Sequence, residues 1–462
     1  MEKYLHFVPR IRIKEYRNTT YTIYELYSPK FLPKQTTTKN SIFTINDTGV
    51  EILKNFNGLN TYEEIVSKLS EKYAEDKNSI SAKVNNFIDQ LVNEYGYELK
   101  EESEPLESDI DYLVYANNYP SVASVELTNI CNLCCRHCYG TFGNNMNEKY
   151  MTINELTFLI KSLGEMGVEI LELTGGDPTM NPNSNKAIEL AFKFGIQTVI
   201  YLTNGVHMSK ELVNTLKKYR DKVFVQIDLH SLNETYYNWF TGTKNNLEKV
   251  KTHIDQLIDN GIRVRVCTII TPGNVYELEK IGEWAYSHGA IQFAPSVVTA
   301  LGRADNYDPE LFFQDLATVN EYQKQHNQIL NHHPGFIQTI EKLESITRKN
   351  CGALTSQVSI NCYGDIKLCN MDCREFFKFK LDNALTYPIK KIYDKNQELL
   401  QKFMKLELPQ LDSEECQNCE QKLFCSNCIL RGMAGAKKRI AYGKPCGWYN
   451  KIDLDIKDKL FT

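Results

Sequence analysis

Cys131-Asn132-Leu133-Cys134-Cys135-Arg136-His137-Cys138-Tyr139 is the stretch on which the fold turns, because of what stands directly before it. Ala123 to Thr128 is a short, mostly apolar run with the pattern of a buried strand, and the chain leaves it straight into four cysteines within eight residues. Reading Cys131, Cys135 and Cys138 as C-x3-C-x2-C, with Cys134 as a bystander, puts three thiols on one short loop. Three thiolates are one fewer than the irons of a four-iron cluster, so such a loop would leave one iron open to a small ligand. A zinc knuckle and incidentally buried cysteines are the other readings of these residues.

Beyond the loop the strand pattern repeats. Short apolar runs at Glu169 to Thr174, Ile196 to Leu202, Val223 to Leu229, Val264 to Ile270 and Ile291 to Ala294 alternate with amphipathic stretches. Those stretches, Asn154 to Met166, Lys186 to Phe194, Lys210 to Tyr219, Leu247 to Asn260 and Leu278 to His288, carry helical spacing. Six β/α units in series predict an α/β fold, a partial (β/α)6 TIM-type barrel over residues 123–335, with chemistry at the carboxyl ends of parallel strands. Gly175-Gly176-Asp177-Pro178 ends the second strand, Thr203-Asn204-Gly205 the third, and Asp228 lies in the fourth. Alone, these are ordinary turn chemistry, although paired glycines permit a close backbone approach.

The flanks differ from this centre. The chain has 462 residues, 42 % hydrophobic and 24 % charged, which excludes a single small domain and a mainly disordered or fibrous protein. Its net charge of -5 gives no global attraction for nucleic acid or an anionic membrane. No run is long enough to span a membrane and no secretory signal opens the chain, so a cytoplasmic location is expected. In that reducing setting 14 cysteines point to metal or redox chemistry rather than disulfides. None precedes Cys131, five lie between 131 and 350, and nine follow: Cys351, Cys362, Cys369, Cys373, Cys416, Cys419, Cys425, Cys428 and Cys446. The four from Cys416 to Cys428 alone would also suit a zinc site. Residues 1–105 read as β-rich runs followed by helices, with a capping box at Thr61 and Glu64, and with Val84, Phe87, Ile88, Leu91, Val92 and Tyr95 on one helical face. The acidic stretch Glu101 to Asp111 reads as solvated linker, assigned to residues 106–122.

The cysteine loop resembles the signature of the radical S-adenosylmethionine (SAM) superfamily. The resemblance implies that Cys131, Cys135 and Cys138 hold a 4Fe-4S cluster whose open iron chelates SAM. An electron from that cluster would break SAM, and the 5'-deoxyadenosyl radical would take hydrogen from an unactivated C-H bond. By the same resemblance, Gly175, Gly176, Asp177 and Pro178, where relatives usually have Gly-Gly-Glu-Pro, would meet the SAM ammonium. Asn204 and Asp228 would serve the ribose region and Tyr139 the adenine. Phe240-Thr241-Gly242 departs from the usual Phe-Arg-Gly, and Arg265 is assigned to the lost arginine's partner.

The C-terminal cysteines resemble the SPASM domain, here 336–462, which holds two auxiliary clusters and brings the expected total to three 4Fe-4S clusters. Carried over, Cys416, Cys419, Cys425 and Cys446 hold one, and Cys351, Cys369 and Cys428 three irons of the other. Cys373, Cys362 or an open site completes the set. Thr44 to Leu53 and the following helices resemble the leader-binding RiPP recognition element, a winged-helix-like α+β unit, with a generic winged helix as the other reading. In that family a precursor's leader adds a strand to the sheet edge. The whole chain thus resembles thioether-forming peptide maturases, served by a flavodoxin or ferredoxin-type donor. Other outcomes on the same fold are a side-chain thioether, a C-C crosslink or a residue oxidation; the non-catalytic reading is a peptide-binding scaffold stapled by zinc.

Overall fold

The computed structural model describes residues 3–17, 22–27, 42–107, 110–115, 119–143, 147–304, 308–337, 351–372, 380–410, 413–419, 428–441, 443–454 and 457. Cys373 and Cys425 lie outside the described residues. The chain divides into two compact units, Met1–Asn118 and Tyr119–Thr462.

Unit 1 holds β1 (Tyr4–Val8), β2 (Arg12–Arg17), β3 (Thr22–Tyr27), β4 (Ile42–Ile45), β5 (Asn57–Thr61), β6 (Glu98–Glu102) and β7 (Asp111–Tyr115). Their sheets run β5-β1-β6 and β4-β3-β2-β7. Helices α1 (Asp47–Asn55), α2 (Tyr62–Tyr73) and α3 (Lys77–Asn93) start where the sequence supplies caps. Asn46 accepts the Gly49 N–H, Thr61 and Glu64 form the expected capping box, and Asp76 caps α3. Phe7, Leu53, Phe56, Leu69, Val84 and Leu91 are buried in one core. The acidic stretch Glu101 to Asp111 joins two edge strands: Glu101 and Glu102 end β6, which pairs antiparallel with β1, and Asp111 opens β7, which lies parallel to β2 inside the span expected as linker. Its composition reported solvation, and an edge strand is solvated too. Glu101 pairs with Lys3, and Glu102 lies 3.4 Å from His6 on β1.

Unit 2 is built on β8 (Val122–Glu126), β9 (Ile170–Thr174), β10 (Thr198–Thr203), β11 (Val223–Asp228), β12 (Arg263–Ile270) and β13 (Gln292–Val297), each parallel to the next. Between and after them run α4 (Ile153–Met166), α5 (Ser184–Lys193), α6 (Lys210–Lys218), α7 (Glu234–Thr241), α8 (Leu247–Asp259), α9 (Leu278–Ser287) and α10 (Leu316–His332). The strand face bearing Leu171, Val199, Val225 and Val264 is shut from water, as are the helix faces bearing Leu163, Leu216, Val250 and Ile281. Helix α7 was not expected, because its run of aromatics, Tyr236, Tyr237, Trp239 and Phe240, blurs the apolar period.

The sheet does not stop at six strands. β14 (Gln357–Ile360) lies parallel to β8, and β15 (Ile366–Lys367) returns antiparallel beside it, giving the order β13-β12-β11-β10-β9-β8-β14-β15. The cysteine-rich region therefore supplies a wall of the partial barrel. Lys367 Nζ lies 2.6 Å from Glu126 Oε1 on β8, with both side chains at most 8 % exposed. Asn370 donates to Glu172 on β9 at 3.0 Å. Helices α11 (Ile389–Lys395), α12 (Gln397–Lys405), α13 (Glu414–Gln417), α14 (Ile429–Ala441) and α15 (Gly447–Lys451) complete the described chain. Among the described residues no helix is long and apolar enough to cross a membrane.

Candidate active site

The loop after β8 is stitched by backbone. Thr128 Oγ1 accepts the Ile130 N–H at 3.0 Å, and the Cys131 sulfur lies 3.4 Å from the Leu133 nitrogen. The N–H groups of Cys134 and Arg136 reach the carbonyls of Thr241 and Phe240 at the end of α7, both at 2.9 Å. Thr241 thus serves through its backbone, which any residue there would supply. From the far end of the barrel, Arg303 Nε donates to the Cys135 carbonyl and Nη1 to the Phe142 carbonyl, both at 2.7 Å.

So held, Cys131, Cys135 and Cys138 line one cleft at the carboxyl ends of the strands. Tyr139, Gly175, Gly176, Asp177, Asn204 and Asp228 line it as well; Pro178 and Arg265 do not. Pro178 opens a single 3-10 turn behind the cleft. Arg265 lies further from the carboxyl ends, beside Gln226 in register and over the Phe224 ring.

The Gly-Gly turn fits only glycine. Gly175 has φ +137, and a Cβ there would overlap the Thr128 carbonyl, while one on Gly176 would overlap that of Ile130. The Gly176 and Asp177 N–H groups bond those same carbonyls at 2.8 Å, so turn and thiol loop form one piece. Asp177 lines the cleft and is also bonded within the chain. Its carboxylate takes the Thr179 N–H at 2.9 Å, the Thr203 hydroxyl at 2.9 Å and the Asn204 N–H at 2.8 Å. It ties the second strand end to the third and has little acceptor capacity left for a ligand.

Burial pushes the Cys131 thiol up to about 12, with the Asp177 charge adding to it. Cys135 is raised further, first by burial and then by Cys131 and Cys138; Arg303 opposes both the Cys135 and Cys138 shifts. Such thiols are inert as nucleophiles. A bound cation reverses that logic by displacing their protons, so this donor set suits a metal group. Among the described residues no three His, Cys, Asp or Glu side chains close to the spacing of a single ion. The thiols surround a space, which fits a multi-iron cluster better than one zinc. Asp228 is pushed up to about 7 by burial, then by the Asp177 charge, with a Gln226 hydrogen bond opposing.

Sequence reasoning missed several cleft residues. His137 stacks on Phe240 at 4.6 Å and meets His230 edge-on at 5.0 Å. Burial drives His137 down to about 3 and His230 well below its ordinary value, so both rings are neutral. The place of His137 between two cysteines was a usable signal. Arg303, 168 residues from Cys135, carried none.

Two further thiol groups stand in the C-terminal region. Cys369 is pushed up to about 12 by burial, then by its neighbours Cys428 and Cys351. Cys446 is raised by burial and by Cys416 and Cys419. Cys362 is pushed up to about 12 by burial and then by Glu126.

Residues 125–285 match the Radical SAM superfamily, residues 35–95 Coenzyme PQQ synthesis protein D (PqqD), and residues 351–420 the SPASM iron-sulfur cluster-binding domain. The antilisterial bacteriocin subtilosin biosynthesis protein AlbA of Bacillus subtilis is 26 % identical over 430 residues, 89 % of each chain. The AdoMet-dependent heme synthase of Methanosarcina barkeri is 25 % identical over 70 % of this chain and 95 % of its own. Streptococcus suis SuiB bound to S-adenosylmethionine superposes with TM-score 0.62 over 94 % of this chain and 96 % of that one, at 12 % identity. SuiB bound to its precursor peptide SuiA does so with TM-score 0.62 over 92 % and 94 %, at 13 % identity. At that identity the likeness speaks for the fold alone. With a thiol loop on the first strand of a parallel partial barrel, and the three matched segments in this order, the chain is a radical SAM enzyme with a PqqD-type unit before its barrel and a SPASM region after it.

Proposed function

We propose that this enzyme matures a ribosomal peptide, joining a cysteine sulfur to a carbon of a precursor bound by the N-terminal unit. The observation that carries this reading is the cleft in which Cys131, Cys135 and Cys138 meet a glycine turn only glycine can form, in a chain similar to AlbA over 89 % of its length. The PqqD match and the solved SuiB–SuiA complex support a peptide substrate.

Cys131, Cys135 and Cys138 would hold the SAM-binding cluster. When bound, the cluster and SAM supply the one-electron chemistry that removes hydrogen from an unactivated C-H bond. The chain's own residues shape the space around it. Gly175 and Gly176 let backbone approach the methionyl end, Asp177 fixes Asn204 for the ribose region beside Asp228, and the rings of Tyr139 and His137 wall the cleft. Cys351, Cys369 and Cys428, with Cys373 or an open site, would hold one auxiliary cluster. Cys416, Cys419, Cys425 and Cys446 would hold the other. Three clusters, a cytoplasmic setting and a flavodoxin or ferredoxin-type donor complete the reading.

The test is anaerobic co-expression with a short, leader-bearing, cysteine-containing peptide, followed by tandem mass spectrometry. Each thioether should leave the peptide lighter by two hydrogens and its cysteine resistant to alkylation. Leaderless peptide should be modified about tenfold less while SAM is still cleaved. A lighter product whose cysteines all alkylate would overturn the thioether.

A further inference from the structure

Among the described residues of the barrel interior, Arg265 stands out by the bonds its guanidinium does not make. Side chains alternate along β12: Val264 and Val266 are fully buried on the helix side, so Arg263, Arg265 and Cys267 face inward. Register agrees, since Arg265 lies beside Gln226 and Cys267 beside Asp228, and both of those neighbours line the cleft. Arg263, at the closed end, is tied through its Nη2 to the Asp221 and Val223 carbonyls at 3.0 and 3.2 Å. Arg265 is not. Its Nε is buried with no hydrogen-bond partner, and its guanidinium rests 4.9 Å from the Phe224 ring centroid. Among the described residues it makes no hydrogen bond or ion pair, although Glu172 and Asp228 are close enough for their charges to act on it. Glu172 is already held by Asn370 at 3.0 Å.

Buried donors are rarely left unpaired in native proteins, so the unpaired Arg265 Nε, next to residues that line the cleft, has room for an acceptor from outside. The neighbours narrow its chemistry. A free carboxylate would bring a third negative group beside Glu172 and Asp228 and be repelled. A peptide group fits both sides, offering its carbonyl oxygen to the guanidinium and its N–H to a carboxylate. The Phe224 ring beneath Arg265 fixes the guanidinium plane and so the direction from which that carbonyl must come.

We propose that Arg265 anchors the substrate inside the barrel by taking a backbone carbonyl of the precursor segment whose hydrogen is removed. This rests on the peptide-maturase reading above. It gives Arg265 a part separate from SAM, which the cleft residues serve, and makes it the element that holds one C-H bond in reach rather than its neighbours.

The test compares reconstituted full-length wild type, Arg265→Met and Arg265→Lys with the same leader-bearing, cysteine-containing peptide, perdeuterated at its acceptor residues. SAM binding is read from the cluster's EPR signal, and substrate placement from the fraction of 5'-deoxyadenosine that carries deuterium. In Arg265→Met, SAM affinity should stay within about twofold and the deuterated fraction fall about fivefold or more. Arg265→Lys, keeping charge and one donor, should recover part of that fraction. Because Met removes an unpaired buried charge, the peptide-free thermal midpoint should hold or rise. A tenfold loss of SAM affinity with the deuterated fraction intact would assign Arg265 to SAM and overturn the proposal. A collapsed midpoint would make it structural, and an unmoved fraction would give it no ligand, each also an overturning result. Wild type that transfers no deuterium would overturn the maturase reading itself, and this proposal with it.

Discussion

The two cysteine-bearing regions of unit 2 are built on opposite terms. The barrel's three thiols come from one loop of eight residues whose backbone is bonded to α7, to Arg303 and to the Gly175-Gly176 turn. Those bonds are made within the chain. The C-terminal thiols come from separated stretches joined by short elements, among them α13 with four residues and β15 with two. A site gathered that way shares its folding energy with what it binds. The first region's thiols are held by the chain's own hydrogen bonds, and the second's would be drawn together by the group they bind.

The largest expected effect breaks that pair apart. Reconstituted wild type should hold about twelve irons, four for each of three clusters. The Cys131, Cys135 and Cys138 triple alanine variant should lose about four of them and all SAM cleavage, with a nearly unmoved thermal midpoint. Replacing Cys416 and Cys419 with alanine should do the reverse. SAM is still cleaved and crosslinking stops, since one electron must leave when carbon couples to sulfur, while the midpoint falls by roughly 10 °C as metal-linked folding is lost. Iron analysis, circular dichroism and peptide mass spectrometry read the three quantities. If the triple variant melts lower than the C-terminal one, the contrast is inverted and the argument fails.

The hairpin of β14 and β15 is where the contrast needs sharpening, because by sequence it belongs to the cysteine-rich region and by hydrogen bonding to the barrel sheet. Lys367 and Glu126 make the buried join. Removing one partner leaves the other as an unpaired buried charge, so Lys367→Met should cost about 3–5 kcal/mol. Removing both, with Glu126→Leu added, should restore most of that, because the pair itself adds little over a packed apolar contact. Denaturant midpoints of the loaded protein decide it. Simply additive losses would mean that the two side chains do not act as a pair.

These same places show what the sequence could carry. Five barrel helices were legible because their apolar residues recur at helical spacing, and the thiol loop because three ligands fit in eight residues. β14 was not, since four residues carry no sign that they will lie beside a strand more than two hundred positions earlier. Asp177 was assigned by its motif to a ligand, but its partners, the Thr203 hydroxyl and Asn204 N–H, sit on the next strand end and come into view only with the register. Arg265 was matched by its motif to the neighbourhood of SAM, and its depth in the barrel and its unpaired Nε appear only in the structure, since spacing shows neither.

The smallest expected effect concerns the join on the barrel's outer side. His333, just past α10, places Nε2 at 2.9 and 2.8 Å from the two oxygens of Glu283 on α9, while its ring stacks on Tyr286 at 3.7 Å. Three residues on, the Phe336 carbonyl accepts the Phe293 N–H of β13 at 2.8 Å, so this contact steadies the chain as it leaves the barrel. The His333 hydrogen bond holds the Glu283 carboxyl below its ordinary range, with burial opposing and His332 helping. A depressed folded value means stability that is present above the ordinary carboxylate value and lost as pH falls through the folded one. Glu283 is 42 % exposed, so water screens the pair and its worth is below about 1 kcal/mol. Glu283→Gln should therefore lower the thermal midpoint by about one to three degrees near neutral pH. That difference should close as pH drops below the carboxylate range, with iron content and SAM cleavage unmoved. A difference that persists in acid would show that Glu283 acts by packing rather than by charge.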